Sequence, residues 1–359
     1  MGGVGLCSSI PSASACGGGG VASASGVVMG SQRIVMSVRA NGTTDMVVQV
    51  TVPQTTADYG VLIPVPSEPT LDGRPVSSKE LDSLDMNTVP YIDYPYDDSG
   101  SGIGCACAGG DAGGGGSRGV SVGSTVTIGP VVAVSLTGDN ADAVSAWLTE
   151  HGFQLPSDDN ETLASYVNAG NYFIAIRRSD SAARGGPTSV GVHYTLQGDH
   201  RKLSLGFTKI GAPRSLAFTV FVAAPQAVGP SAPFTAMTLN DLDSALLQKN
   251  DYTGAVGAAV AAHQSKAFVL ESTTYRSSLF DVAPSLVEFM DPNSVITRAT
   301  TVVDREHLSD DVLFATPFKE EIPRWRTVSI APHRGRNASV GTLGVLLVAH
   351  ALRRRSRRR

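Results

Sequence analysis

The stretch VSAWLTEHGFQLPSDDNETLASYVNAGNYFIAI, Val144 to Ile176, carries the tightest pattern in the chain and reads as helix, proline turn, helix, strand. In the first helix Val144, Trp147, Leu148 and His151 recur at i, i+3, i+4 and i+7, which gathers one apolar stripe while Asp142 and Glu150 face outward. Asn140 can cap its start, because a short side-chain oxygen there accepts an orphan backbone N–H, and Gly152 can end it. Beyond Pro156, Asp159 or Asn160 opens a second helix in which Leu163, Tyr166 and Val167 share a face, and Gly170 supplies the left-handed residue that stops it. Tyr172 to Ile176 is apolar without alternation, as a strand covered on both faces would be, and the two helices are its predicted cover.

Toward the N-terminus, Arg33 to Val38 and Met46 to Val52 are β-branched runs joined through Asn41-Gly42, a hairpin signal. Gly60 to Val65 is a third strand that ends in Pro64-Val65-Pro66, where a missing N–H stops a ladder or places it at an edge. Ser77 to Leu84 reads as a short helix with Leu81 and Leu84 inward, and Val120 to Leu136 returns to strand. Toward the C-terminus, Ser189 to Leu196 and Leu203 to Thr208 read as a strand pair joined near Gly198-Asp199, and Ser215 to Ala224 as a long apolar strand. Helices are predicted over Leu239 to Gln248 and Ala255 to His263, then a strand over Ala267 to Leu270; Pro284 to Phe289 and Ile296 to Val303 fit either state. Many short strands with a few grouped helices predict an α+β fold. Its sheet region is mostly antiparallel, with helices packed on one side through Trp147, Leu148, Leu163 and Tyr166, plus a short C-terminal hydrophobic tail.

The expected organisation is a residual targeting segment and glycine spacer over 1–26, a globular domain over 27–316 that could be two lobes, a linker over 317–339, and an anchor or sorting tail over 340–359. Within the domain, the patternless loop 88–118 is expected to be mobile or functional. Ala13-Ser14-Ala15 before Cys16 has the small-residue form of a signal-peptidase site, but Met1 to Pro11 has neither a basic start nor an apolar run. Formal net charge is −4, yet six of the 28 basic residues are terminal arginines, so the remainder holds 22 basic against 32 acidic residues. Such a body repels phosphate backbones, which argues against nucleic acid as a partner.

Gly114 to Gly119 satisfies GxGxxG, and Gly115 to Gly119 satisfies GxSxG, but both are by-products of a glycine run. The strand-to-helix turn either chemistry needs is missing there. Asp93, Asp97 and Asp98 lack the spacing and closing glutamate of a calcium loop. No cofactor or metal site is read. Cys105 and Cys107 are candidates for a disulfide with each other or with Cys16; the alternatives are a redox pair, half a metal site, or free thiols. Among the histidines, His193 with Asp199 and His200 is the best acid–base pairing, and a polar turn after a half-exposed strand is its bland reading.

At the C-terminus Val340 to Leu352 is an apolar run containing Val340, Leu343, Leu346, Leu347 and Leu352, closed by Arg353, Arg354 and Arg355 and three more arginines. Thirteen residues make a helix of about 20 Å, short of the roughly 30 Å hydrocarbon core. The order of linker, small residues at Ala338-Ser339, apolar run and arginines resembles the tripartite C-terminal sorting tags of Gram-negative bacteria. By the positive-inside rule the arginines are expected to stay cytoplasmic with the body outside; the alternative is a buried or interfacial helix with a solvated basic end.

Several short elements recur in a telling order: Gln32-Arg33-Ile34-Val35, Leu62-Ile63-Pro64-Val65-Pro66, Gly104-Cys105-Ala106-Cys107, and Trp147-Leu148 followed by Gly152-Phe153 and Pro156. Leu163, Tyr166, Gly170 and Phe173 follow, then Ala267-Phe268-Val269. In this the chain resembles the bacterial domain-of-unknown-function family 2330. The resemblance implies an exported or envelope protein and carries no activity with it. The expected function is a non-catalytic binding or scaffolding role, with the membrane as partner through the tail and an envelope protein or surface ligand as a further partner. The alternative is an envelope hydrolase built around His193, Asp199 and His200.

Overall fold

Gly42 takes φ +83°, the left-handed conformation that the Asn41-Gly42 hairpin turn demands, and joins the strands Gln32–Val38 and Thr43–Val52 with Val35 opposite Val47. The computed structural model describes residues 20–22, 32–52, 60–93, 120–153, 155, 159–179, 188–212, 214–282, 284–318 and 322–328. The hairpin sits in a nine-stranded sheet. Its spatial order is Thr235–Thr238, Ala267–Tyr275, Val295–Asp304, Ser215–Ala224, Gln32–Val38, Thr43–Val52, Thr188–Gln197 and Thr70–Leu71, and Val76–Ser77 also pairs with Thr188–Gln197. Two of these pairings are parallel, Gln32–Val38 with Ser215–Ala224 and Thr235–Thr238 with Ala267–Tyr275; the others are antiparallel.

A second, five-stranded sheet is antiparallel throughout, in the order Gly20–Ala22, Gly60–Val65, Tyr172–Arg178, Val131–Gly138 and Val120–Ile128. The inner faces of the two sheets share one core. Ile63, Ala133, Ile174 and Ile176 from the smaller sheet cluster with Ile34, Met36, Val48 and Val192 from the larger. The α+β class is thus observed as a sandwich of two mostly antiparallel sheets with helices outside it.

Among the described residues the α-helices are α1 (Ser78–Thr88), α2 (Ala141–Glu150), α3 (Asn160–Asn168), α4 (Ser244–Leu247), α5 (Tyr252–Ala262) and α6 (Pro284–Val287). Asn140 caps α2 by accepting from Ala143 N at 2.9 Å, while Gly152 and Gly170 take φ +82° and +78° just past α2 and α3. Trp147, Leu148 and Leu163 bury the outer side chains Leu62, Leu136, Phe173 and Ala175 of the smaller sheet. Full burial of a side chain such as Leu148 stabilises by about 1.5–3 kcal/mol. Phe153 lies so close to the strand beneath that a Cβ at Gly60 would stand 2.0 Å from its ring, so only glycine fits there. The strand Tyr172–Arg178 is therefore covered on both faces, by helices on one side and by the second sheet on the other.

The helices do not lie on one side only. A two-sheet sandwich has two apolar outer faces, and each needs cover. Leu81 and Leu84 of α1 and Leu286 of α6 pack over Val35, Val47 and Phe221 on the outer face of the larger sheet. Leu203 to Thr208 does not pair with Ser189 to Leu196. Both edges of that strand are occupied, one by Thr43–Val52 and the other by Thr70–Leu71 and Val76–Ser77. Lys202–Leu203 pairs instead with Val312–Leu313, and Phe207–Lys209 is a single 3-10 turn. The helix expected over Leu239 to Gln248 is split, because Asp241 folds back on Thr238 to close a short turn and Asp243 then caps α4. Val295–Asp304, which fits either state from sequence, is a strand inside the large sheet, and α6 precedes it. Within the segment read as linker, Ile322 and Val328 are core side chains and Trp325–Thr327 runs parallel to Tyr91–Asp93. Cys16, Cys105, Cys107 and the tail 340–359 lie outside the described residues.

Candidate functional site

Strand alternation builds the site. In Thr43–Val52 and Thr188–Gln197 the side chains of Met46, Val48, Val192 and Tyr194 enter the inter-sheet core. Their neighbours Asp45, His193 and Thr195 must then stand on the outer face. The turn after Thr70–Leu71 brings Asp72 and Arg74 alongside, with Asp72 N donating to His193 O at 3.3 Å. Arg39 comes from the end of the first hairpin strand, and Glu288 and Phe289 from just beyond α6. Together they line an open cleft of about 480 Å³.

His193 is buried, and each of its ring nitrogens faces a carboxylate: Nε2 lies 3.0 Å from Asp45 Oδ1 and Nδ1 lies 3.2 Å from Asp72 Oδ2. The Phe289 ring stacks on the imidazole at 3.8 Å and 10°. Thr195 Oγ1 donates to Asp45 Oδ1 at 2.7 Å, and Arg39 Nη1 donates to Asp45 Oδ2 at 2.8 Å and holds Asp291 with Nε at 3.0 Å. On the far side Arg74 binds Asp72 at 2.9 Å and Glu288 at the mouth, and its guanidinium lies 5.6 Å from the Phe289 ring. The result is a continuous row of paired groups, from Asp291 through Arg39, Asp45, His193, Asp72 and Arg74 to Glu288.

Burial pushes the Asp45 carboxyl up, but hydrogen bonds from His193 and Thr195 and the charges of His193 and Arg39 outweigh it and hold it below the ordinary range. At Asp72 burial again acts upward and is overcome, here by the side-chain and backbone hydrogen bonds from Arg74 and by the charges of Arg74 and His193. Both acids are thus kept as acceptors.

A second polar assembly lies on the same sheet face. The register between Ala267–Tyr275 and Val295–Asp304 shifts between Leu270 and Ser272, a bulge at Glu271, whose side chain is fully buried. Glu271 accepts from Arg298 Nε and from Tyr252 OH, and Arg298 also donates to Asp85 of α1. Burial raises the Tyr252 hydroxyl far above its usual range, and the Glu271 charge adds to this.

Of the three residues singled out in the sequence, the cleft holds His193 alone. Asp199 is a bidentate partner of Arg201, at 2.7 and 2.6 Å, and His200 Nε2 lies 2.6 Å from Gln197 O. Sequence reasoning missed Arg39, Asp45, Asp72 and Arg74. The available signal was an acid and a histidine at outward positions of two apolar strands, but the two stand 148 positions apart.

The fold and site define a two-sheet α+β protein with helices outside both sheets and a charge-lined cleft on its larger sheet. Residues 10–200 match the family described as an uncharacterized protein conserved in bacteria (DUF2330), and the chain belongs to that family. No curated protein and no solved structure matches the chain. Among the described residues no helix is long and apolar enough to cross a membrane.

Proposed function

We propose that the protein is an exported, envelope-associated binding protein whose cleft receives a polar ligand and whose C-terminal tail holds it at the membrane. The observation that carries the non-catalytic reading is the setting of His193. A general base needs a ring nitrogen aimed at the proton it takes from a substrate, and here both nitrogens are engaged by carboxylates of the protein. The lining contains two hydroxyls, those of Thr70 and Thr195, and Thr195 is turned into Asp45. A hydrolase built on His193, Asp199 and His200 lacks this kind of support, because the three side chains have separate partners. The mouth suits entry of a ligand: Arg74 and Glu288 are both well exposed, and pairs of that kind cost little to open.

The tether rests on sequence. The run Val340 to Leu352, closed by arginines, follows an acidic body, and arginines at such a border stay on the cytoplasmic side. Deleting 340–359 and fractionating cells tests it. The full-length protein is expected with membranes and the truncated one in the soluble exported fraction; identical partitioning of the two would end the reading.

A further inference from the structure

Four of the large apolar side chains exposed among the described residues lie on segments joined by hydrogen bonds through one asparagine. Met86 (66% exposed) precedes Asn87 at the end of α1, and Phe280 (83%) exchanges two hydrogen bonds with Asn87, donating N to Oδ1 at 2.7 Å and accepting from Nδ2 at 2.8 Å. Arg324 donates from Nη1 to Asn87 O, and its own carbonyl receives Tyr91 N at 2.6 Å. Tyr91 (41%) and Trp325 (64%) then stack at 4.5 Å and 17° across the parallel ribbon Tyr91–Asp93 and Trp325–Thr327, with the Arg324 guanidinium 4.5 Å from the Tyr91 ring. Nothing in the cleft chemistry uses this surface.

We infer that this aromatic surface is a membrane-contact patch that seats in the lipid headgroup layer; the inference rests on the tethered reading above and gives the tethered body an orientation. Its chemistry fits a bilayer border, where Trp and Tyr place an apolar ring beside a polar edge and Arg meets phosphate. The position in the chain fits too. The ribbon strand Trp325–Thr327 and Val328 are the last described residues, and eleven residues, 329–339, separate them from the apolar run that starts at Val340. Fully extended, eleven residues reach at most about 40 Å, so a tail in the membrane keeps the ribbon within that distance of it. A contact made on so short a tether is intramolecular and needs little affinity of its own. A second copy of the chain is the poorer occupant, since four side chains fall well short of the roughly 20–30 residues a side of a stable protein interface.

Only two tryptophans are present, and Trp147 is buried, 3% exposed, so Trp325 can be read by itself. Full-length Trp147→Phe is mixed with vesicles of phosphatidylethanolamine and phosphatidylglycerol, and Trp325 emission and quenching by brominated lipid are recorded beside co-sedimentation. Should that variant fold poorly, the wild-type spectrum minus that of Trp325→Phe gives the same signal. Emission is expected to move to shorter wavelength with strong quenching, and Tyr91→Ala/Trp325→Ala to weaken vesicle partitioning by roughly tenfold. Co-sedimentation with unshifted, unquenched Trp325 would overturn the patch and leave the tether standing. Absence of co-sedimentation would overturn both. Trp325 emission already at short wavelength without vesicles would assign the surface to the protein's own tail or a second copy, and overturn the inference in favour of that occupant.

Discussion

Two charged assemblies occupy opposite ends of one cross-strand row on the outer face of the large sheet. His193 stands opposite Val47, Val47 opposite Val35, Val35 opposite Phe221, and Phe221 opposite Arg298. At the Arg298 end α1 supplies Asp85 as a partner, Tyr252 of α5 closes over Glu271, and no part of Glu271 reaches solvent. At the His193 end the cover stops at the Phe289 ring, and Asp72, Arg74 and Glu288 open to water. The same vocabulary of carboxylates and guanidinium groups is therefore buried where helices seal it and open to solvent where they do not. Local residue type says little about which role results; the depth of cover decides it.

The largest expected effect breaks the sealed end. Arg298→Met leaves Glu271 buried without its cation, and removing one member of a buried pair costs about 3–5 kcal/mol. Urea unfolding measures this, and the double variant Arg298→Met/Glu271→Leu is expected to recover part of the loss, because no fully buried charge is then stranded although the Tyr252 hydroxyl loses its acceptor. A loss below about 1 kcal/mol for the single variant would show that the end is wet.

At the open end Asp45→Asn removes a charged acceptor from His193, Arg39 and Thr195 but leaves water able to reach the cleft. The expected loss is about 1.5–3 kcal/mol by the same unfolding measurement. The acid dependence follows from the direction of the shifts. Asp45 and Asp72 have folded carboxyls below the unfolded range, so their stabilising contribution is complete above about pH 4 and is lost as pH falls through the folded values. Asp45→Asn/Asp72→Asn is expected to flatten the acid limb of a stability-against-pH profile. An unchanged limb would mean that these acids are not tied down as the geometry describes. Smallest of all, Arg74→Ala should cost no more than about 1 kcal/mol, since its partners reach solvent and the backbone N–H of residue 74 still binds Asp72, while altering ligand uptake at the mouth.

Elements whose cause is local were legible in sequence. Asn140 as a cap, Gly152 and Gly170 as left-handed stops, Gly42 in its turn, and the two-sided apolar run from Tyr172 all follow from a few consecutive residues. The cover of that run was only half legible: α2 and α3 could be read beside it, while the second sheet across it comes from distant strands. The site was less legible for the same reason. Asp45, Asp72 and His193 meet through the pairing of Thr43–Val52 with Thr188–Gln197 and a turn beside it, none of which a motif encodes. Glu271 was hidden differently, because a bulge breaks the two-residue alternation from which its direction could have been inferred. Asp199 and His200 drew attention as an adjacent acid and histidine, yet adjacency in a turn aimed them at Arg201 and Gln197 O instead.

The proposal that the body is exported and tethered is tested most directly by protease treatment of spheroplasts expressing the full-length chain, with a cytoplasmic marker followed in parallel. Digestion of the folded body while the marker stays intact is the expected result. Protection of the body together with the marker would contradict export and, with it, the role of the tail.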